Sequence, residues 1–143
     1  TKKLIFIVEK NLDFKEIYGL QFKTSGFEVE MASSNEEAFS KIKDIEDDKQ
    51  KPDAIILDLN LKAVVHEEIT NINISADVKE IFEKLKLIQS RKNTPLFILG
   101  IYPMSSLDHP EVFADIKPER FIDISSATPT KLAEVVKGEL GIK

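Results

Sequence analysis

The chain has 143 residues, enough for one domain spanning residues 1–143 and too few for two ordinary ones. A net charge of −5 disfavours wholesale binding to nucleic acid phosphates, and the absence of cysteine excludes disulfides, thiolate zinc sites and a cysteine nucleophile. No apolar stretch approaches the length of a membrane span, and the first residues lack the features of a signal peptide, so we expect a cytoplasmic domain.

Strand and helix signals alternate along the first half of the chain. Apolar residues over 4–8 predict a first strand, and helical spacing predicts a helix over residues 12–23. Period-two alternation over residues 27–31 predicts a strand nearer the sheet edge. The run Ser34-Asn35-Glu36-Glu37 matches a capping box and predicts the start of a second helix. Four apolar residues at 54–57 then predict a third strand that is buried on both faces.

The second half continues this alternation. Apolar residues at helical spacing predict a helix through Leu85, capped from Ser75. Residues 96–99 and 121–124 predict the fourth and fifth strands, with a further helix between them. Thr128 and Pro129 supply a cap and a first-turn proline for a last helix that ends near residue 140.

Strands separated by helices imply right-handed crossovers and an α/β fold with a doubly wound, mostly parallel sheet. Five strands and five helices in this length favour the flavodoxin-like strand order 2-1-3-4-5, with helices on both faces. Residues 61–74 remain as an unusually long connection between the third strand and its helix. Their apolar content favours packing, with an added helical turn near residues 64–70.

Asp58 ends the predicted third strand and is the most informative single residue. Ligands of open α/β sheets gather beyond the carboxyl ends of the strands. An acid at that position is a nucleophile, a metal ligand or a residue that caps the following turn, and its neighbours on the other strand ends must decide among these.

Three segments resemble the receiver domains of two-component response regulators. They follow one another in the order of that family, and the resemblance covers essentially the whole chain. They are residues 3–11, 52–60 and 94–100, and the proline-started last helix fits as well. The resemblance implies a signal-transduction module, not an enzyme, whose aspartate accepts a phosphoryl group from a partner's phosphohistidine. In that family, Mg²⁺ offsets the charge of a phosphate that approaches a carboxylate.

The resemblance assigns roles to specific residues of this chain. Asp58 matches the phosphoacceptor, and Glu9, Asp58 and Asn60 match the metal ligands, Asn60 through its backbone carbonyl. A structural role would also explain an acid at Glu9, because it stabilises the positive end of the following helix.

Three other positions of the family pattern are substituted. Lys10 stands at the second acid, Gly100 at the Ser or Thr that ends strand four, and Ser125 at the lysine that ends strand five. We expect Lys10 to form an ion pair with Asp58 or Glu9 in place of the metal. The alternative is a solvated lysine that points away from the cleft. Gly100 offers no hydroxyl, although it could simply permit a tight turn.

We therefore predict a degenerate receiver with no cofactor and little affinity for Mg²⁺, which acts through protein–protein interaction. The resemblance places its partner surface on residues 110–140, with Ile122 at the family's aromatic switch position and Phe121 beside it. Tyr102 suits a partner surface, or equally the covering of the sheet end. The expected partner is a sensor histidine kinase or an output protein, or a second copy, and neither nucleic acid nor a membrane.

Two other functions remain open at this point. One is an active receiver in which Asp58 is phosphorylated and Mg²⁺ binds despite the substitutions. The other is a haloacid-dehalogenase-type phosphatase, whose nucleophile motif is similar to residues 58–60. That motif belongs after a first strand and needs a second acid where Asn60 stands, which disfavours it. A flavodoxin is excluded because the first loop has no Gly, Ser or Thr phosphate cradle.

Overall fold

The computed structural model describes residues 2–59, 76–100, 117, 120–123 and 128–142. These residues form a five-stranded sheet in the order β2-β1-β3-β4-β5, in which every neighbouring pair is parallel. The strands are β1 Leu4–Val8, β2 Glu28–Ala32, β3 Ala54–Asp58, β4 Leu96–Gly100 and β5 Phe121–Asp123. The helices are α1 Leu12–Thr24, α2 Asn35–Glu46, α3 Ala76–Lys92 and α4 Pro129–Leu140. The predicted flavodoxin-like α/β fold and its strand order are confirmed.

The sheet separates two apolar layers because successive strand side chains point to opposite faces. Phe6, Val8, Ile55 and Leu57 pack with α2 and α3 on one face. Ile5, Ile7, Ala54 and Ile56 pack with α1 and α4 on the other. The central strand β3 is buried along its whole length, as its apolar run predicted.

Side-chain caps begin three of the helices. Asn11 caps α1 and accepts hydrogen bonds from the backbone N–H groups of Asp13 and Phe14. Ser34 caps α2 as predicted, although the Glu37 carboxylate accepts from the backbone of Ser33 and not from that of Ser34. Thr128 accepts from the backbone of Lys131 to begin α4, with Pro129 in its first turn, which confirms that prediction.

Arg120 joins the two faces of the sheet at its β5 edge. Its Nη1 donates to Gln89 Oε1 of α3 at 3.1 Å, and its Nη2 lies 3.4 Å from Glu139 Oε2 of α4. The same Gln89 oxygen accepts from the backbone N–H of Leu96 at 3.0 Å. This network ties both helices to the start of β4 and to β5.

Several predictions fall outside the described residues, namely the connection at 61–74, the Ser75 cap and the helix between the fourth and fifth strands. The described strand boundaries lie within one residue of those predicted, whereas α3 continues to Lys92, seven residues beyond Leu85. Among the described residues, no helix is long and apolar enough to cross a membrane.

Candidate functional site

Two carboxylic acids meet where β1 and β3 end. Asp58 is the last residue of β3, and Glu9 follows β1 directly. The register pairs Val8 with Leu57, so Glu9 and Asp58 are the next residues along these neighbouring strands. Both are buried, with Glu9 0% and Asp58 2% exposed. The alternation of the strands places both side chains on the face that α1 and α4 cover.

The chain around Glu9 turns at once into α1. The Glu9 backbone N–H donates to the carbonyl of Ala32 at 3.0 Å, which continues the pairing of β1 with β2. Its Oε1 accepts from the backbone N–H of Asn11 at 3.1 Å, and Asn11 in turn caps α1. The Glu9 carboxyl group is therefore held by the same turn that begins the helix.

The two acids interact, and burial decides their charge. The pKa of Glu9 is raised from 4.5 to about 9, first by burial and then by the hydrogen bond to Asp58 and the charge of Asp58, while the hydrogen bond from Asn11 lowers it. Glu9 is therefore protonated at neutral pH. Its Oε2 is buried and accepts no hydrogen bond from any donor in the described ranges. In this state Glu9 can donate the hydrogen bond that joins its side chain to that of Asp58.

Tyr18 belongs to the same cluster and was missed from the sequence, which suggested only a place on the helix. It is buried on the face of α1 that packs against the sheet. Burial first, and then the charges of Asp58 and Glu9, raise the pKa of its phenol to about 12, so it stays neutral. The position of α1 in the sequence could have suggested Tyr18, because this helix begins only three residues after Glu9.

Lys10 does not form the ion pair with Asp58 or Glu9 that we expected. It is half-buried, and no ion pair among the described residues joins it to Glu9 or Asp58. The predicted ion pair is therefore wrong. Lys10 lies after the end of β1, in the turn that leads into α1, where the strand no longer fixes which way a side chain points.

The remaining candidate residues are placed as follows. Gly100 ends β4, next to the strand of Asp58, and contributes no side chain to this edge. Ile122 is 7% exposed within the α1 and α4 layer, and Phe121 packs partly buried against the opposite layer. Asn60, Tyr102 and Ser125 lie outside the described residues. The described ranges contain no group of three or more acidic or histidine side chains that could hold a metal.

Solved structures similar to this chain over nearly its whole length are receiver domains. A CheY-like receiver domain protein from Methanospirillum hungatei JF-1 is 19% identical with a TM-score of 0.68, and the match covers 99% of this chain and 95% of that one. The response regulator TrrA from Thermotoga maritima, solved in complex with Mg²⁺-BeF, is 20% identical with a TM-score of 0.64, covering 96% and 98%. The chemotaxis response regulator CheY4 of Vibrio cholerae is 19% identical with a TM-score of 0.62, again covering 96% and 98%.

The chain has the fold of a response regulator receiver domain. In this receiver fold, β1 and β3 are adjacent in the middle of the sheet, which brings Glu9 and Asp58 together. No family model and no curated protein matches the sequence.

Proposed function

We propose that the chain is a receiver module of a two-component or phosphorelay pathway with a degenerate phosphoacceptor site. It acts in the cytoplasm through protein–protein contacts and not as an enzyme. The observation that carries this proposal is the pair of acids at the strand ends, Glu9 and Asp58, which no third metal-binding side chain completes among the described residues. Both acids are buried, and burial and the hydrogen bond to Asp58 raise the pKa of Glu9, so Glu9 holds a proton when no metal is bound.

The donor set at this edge fits Mg²⁺ poorly. Mg²⁺ requires oxygen ligands in near-octahedral geometry and is usually held by ionised carboxylates. Here Lys10 stands at the position of a further acid, so the described part of this edge offers two carboxyl groups and no third metal-binding side chain. We assign no step to the metal, and we take Asn60 as a candidate ligand only.

Two partners that the receiver pattern supplies to the phosphoryl group are replaced in this sequence. At the end of β4, Gly100 has no hydroxyl to donate, and Ser125 stands where the receiver pattern has a lysine. A phosphoryl group on Asp58 would therefore add negative charge to a buried site next to Glu9 with little compensation.

The output of such a module is a protein contact. We propose that residues 110–140 form the surface for a sensor histidine kinase or an output protein. Of this surface, β5 and α4 belong to the described structure, and Ile122 joins them to the core that also contains Tyr18. A change in how α4 packs would therefore alter the packing of the apolar layer on the same face of the sheet as the acid pair.

The test is adduct formation on Asp58. The chain is incubated with acetyl phosphate and Mg²⁺, and separately with beryllofluoride and Mg²⁺, and examined by intact mass and by amide NMR shifts. We expect no stable adduct and no shifts at residues 9–11 or 58–59. A stoichiometric adduct that Asp58→Asn abolishes would contradict the proposal.

An active receiver is the second candidate, and it is favoured by the retention of Glu9 and Asp58 side by side at the ends of β1 and β3. TrrA, which has this fold, was solved in complex with Mg²⁺-BeF. Lys10→Asp distinguishes the two candidates. If the site is degenerate because of Lys10, this variant gains Mg²⁺ binding and beryllofluoride shifts that the unmodified chain lacks. If the unmodified chain already shows both, it is an active receiver.

A further inference from the structure

Three large apolar side chains of α1 face solvent. Leu12, Ile17 and Leu20 are 65%, 46% and 70% exposed. The opposite side of the helix, with Tyr18 and Phe22, is buried against the sheet. An apolar surface of this kind on an otherwise polar helix indicates a contact with another molecule.

Charged residues complete this surface in a regular order. Leu12, Glu16, Leu20 and Lys23 follow one another at helical spacing and form one line along α1, which we call the α1 stripe, with Ile17 at its margin. Glu16 and Lys23 are both exposed. Within the described residues, neither of them forms an ion pair or a hydrogen bond.

The order of these charges makes the α1 stripe complementary to itself. The acid lies one turn before Leu20 and the base lies about one turn after it. When two such helices run antiparallel about Leu20, Glu16 of each copy faces Lys23 of the other, and the two leucines meet on the axis. The helix dipoles also oppose each other in this arrangement. A parallel pair would instead place like charges opposite each other.

We propose that the α1 stripe is a homodimer contact, in which two copies of the chain pack their α1 helices antiparallel about a two-fold axis at Leu20. Such a contact is isologous, which is why one stripe can supply both halves. It lies on α1 and so differs from the partner surface at residues 110–140, and it does not depend on the proposed function. One pair of helices buries less than the roughly 1,200 Å² of stable complexes, so the dimer is weak.

The first test compares two exposed leucines. Sedimentation velocity is recorded for the 143-residue chain from about 10 µM to about 1 mM, a range suited to a weak complex. Leu20→Glu should raise the dimer dissociation constant by about tenfold or more, because it replaces the buried centre of the contact with two like charges. Leu87→Glu is the matched control, since Leu87 is 51% exposed on α3, and it should leave association unchanged.

The second test addresses the antiparallel geometry. Glu16→Lys and Lys23→Glu each create a stripe of one charge sign, so each variant alone should associate several-fold more weakly, most clearly at low salt. Mixing the two variants should restore association, because every facing pair then has opposite charges. Circular dichroism establishes that each variant is folded.

Three results would overturn the proposal. They are a chain that is monomeric over the whole concentration range, a dimer that Leu20→Glu leaves intact, and charge variants that do not recover on mixing. The first of these would leave the α1 stripe to a different protein partner.

Discussion

At the end of β1, a single turn determines the state of Glu9. The backbone N–H of Asn11 donates to Oε1, Oε2 is buried without a donor among the described residues, and Asp58 lies close enough to hydrogen-bond the carboxyl group. A buried carboxyl group with one donor and one acidic neighbour is more stable protonated than ionised. The acid pair is thus a property of the fold around these two residues and not of either residue alone.

Protonation of Glu9 makes stability depend on pH. The pKa is raised from 4.5 to about 9, so the folded chain keeps a proton that the unfolded chain releases. Stability is therefore fully present at low pH and is lost as the pH rises through this window, with a slope of at most about 1.4 kcal/mol per pH unit. Urea unfolding at several pH values between these limits should show the decline.

Glu9→Gln should remove most of this dependence, because the amide keeps a similar shape and a donor but does not titrate. Glu16→Gln is the control, since it replaces an exposed acid on α1 and should retain the slope of the unmodified chain. Equal slopes in all three proteins would show that Glu9 is ionised in the folded state.

Lys10 and Asn11 are adjacent and yet should differ in importance. Lys10 forms no ion pair in the described structure, so Lys10→Ala should change the free energy of unfolding by less than about 0.5 kcal/mol. Asn11 caps α1, so Asn11→Ala should cost about 1 kcal/mol. Thermal and urea unfolding of both variants measure this, and a larger loss for Lys10→Ala would indicate the ion pair that we did not find.

Among the helices, α4 provides a matched pair of glycines. Gly138 lies within the helix, and a Cβ added there would meet nothing within 4 Å. Gly141 ends the same helix with φ +70° in the left-handed region. Gly138→Ala should therefore stabilise the chain by about 0.5 to 1 kcal/mol.

Gly141→Ala should instead destabilise the chain by about 1 kcal/mol, because alanine is strained at this φ value. The two variants differ by three residues in position and should have opposite effects on the unfolding midpoint. Effects of the same sign would contradict the assignment of Gly141 as the end of α4.

The elements were well predicted where the signal is local. The cap at Ser34, the proline start of α4 and the apolar run of β3 are each contained in a few adjacent residues. The capping box predicted that the Glu37 carboxylate would accept from the backbone of Ser34, but it accepts from Ser33. The exact geometry of a cap is not encoded in residue types alone. Asn11 was overlooked as a cap because it follows the strand end without a separating loop.

For the molecule as a whole, strand order followed from the alternation of strands and helices, since right-handed crossovers leave few arrangements. The placement of Asp58 at a strand end followed from the same reasoning. The raised pKa of Glu9 and the contribution of Tyr18 did not, because they require the register of β1 against β3 and the burial of these side chains. The Lys10 ion pair was wrong because Lys10 lies in the turn after β1, and the sequence does not show how that turn directs its side chain.

The central claim is that Glu9 is protonated beside Asp58, and its most direct test is a carbon-13 NMR titration of the side-chain carboxyl groups of Glu9 and Asp58. We expect the Glu9 carboxyl to titrate with a pKa of about 9 and to do so equally with and without excess Mg²⁺. A Glu9 carboxyl that is ionised at neutral pH, or whose pKa falls sharply when Mg²⁺ is added, would contradict this account and favour an active receiver.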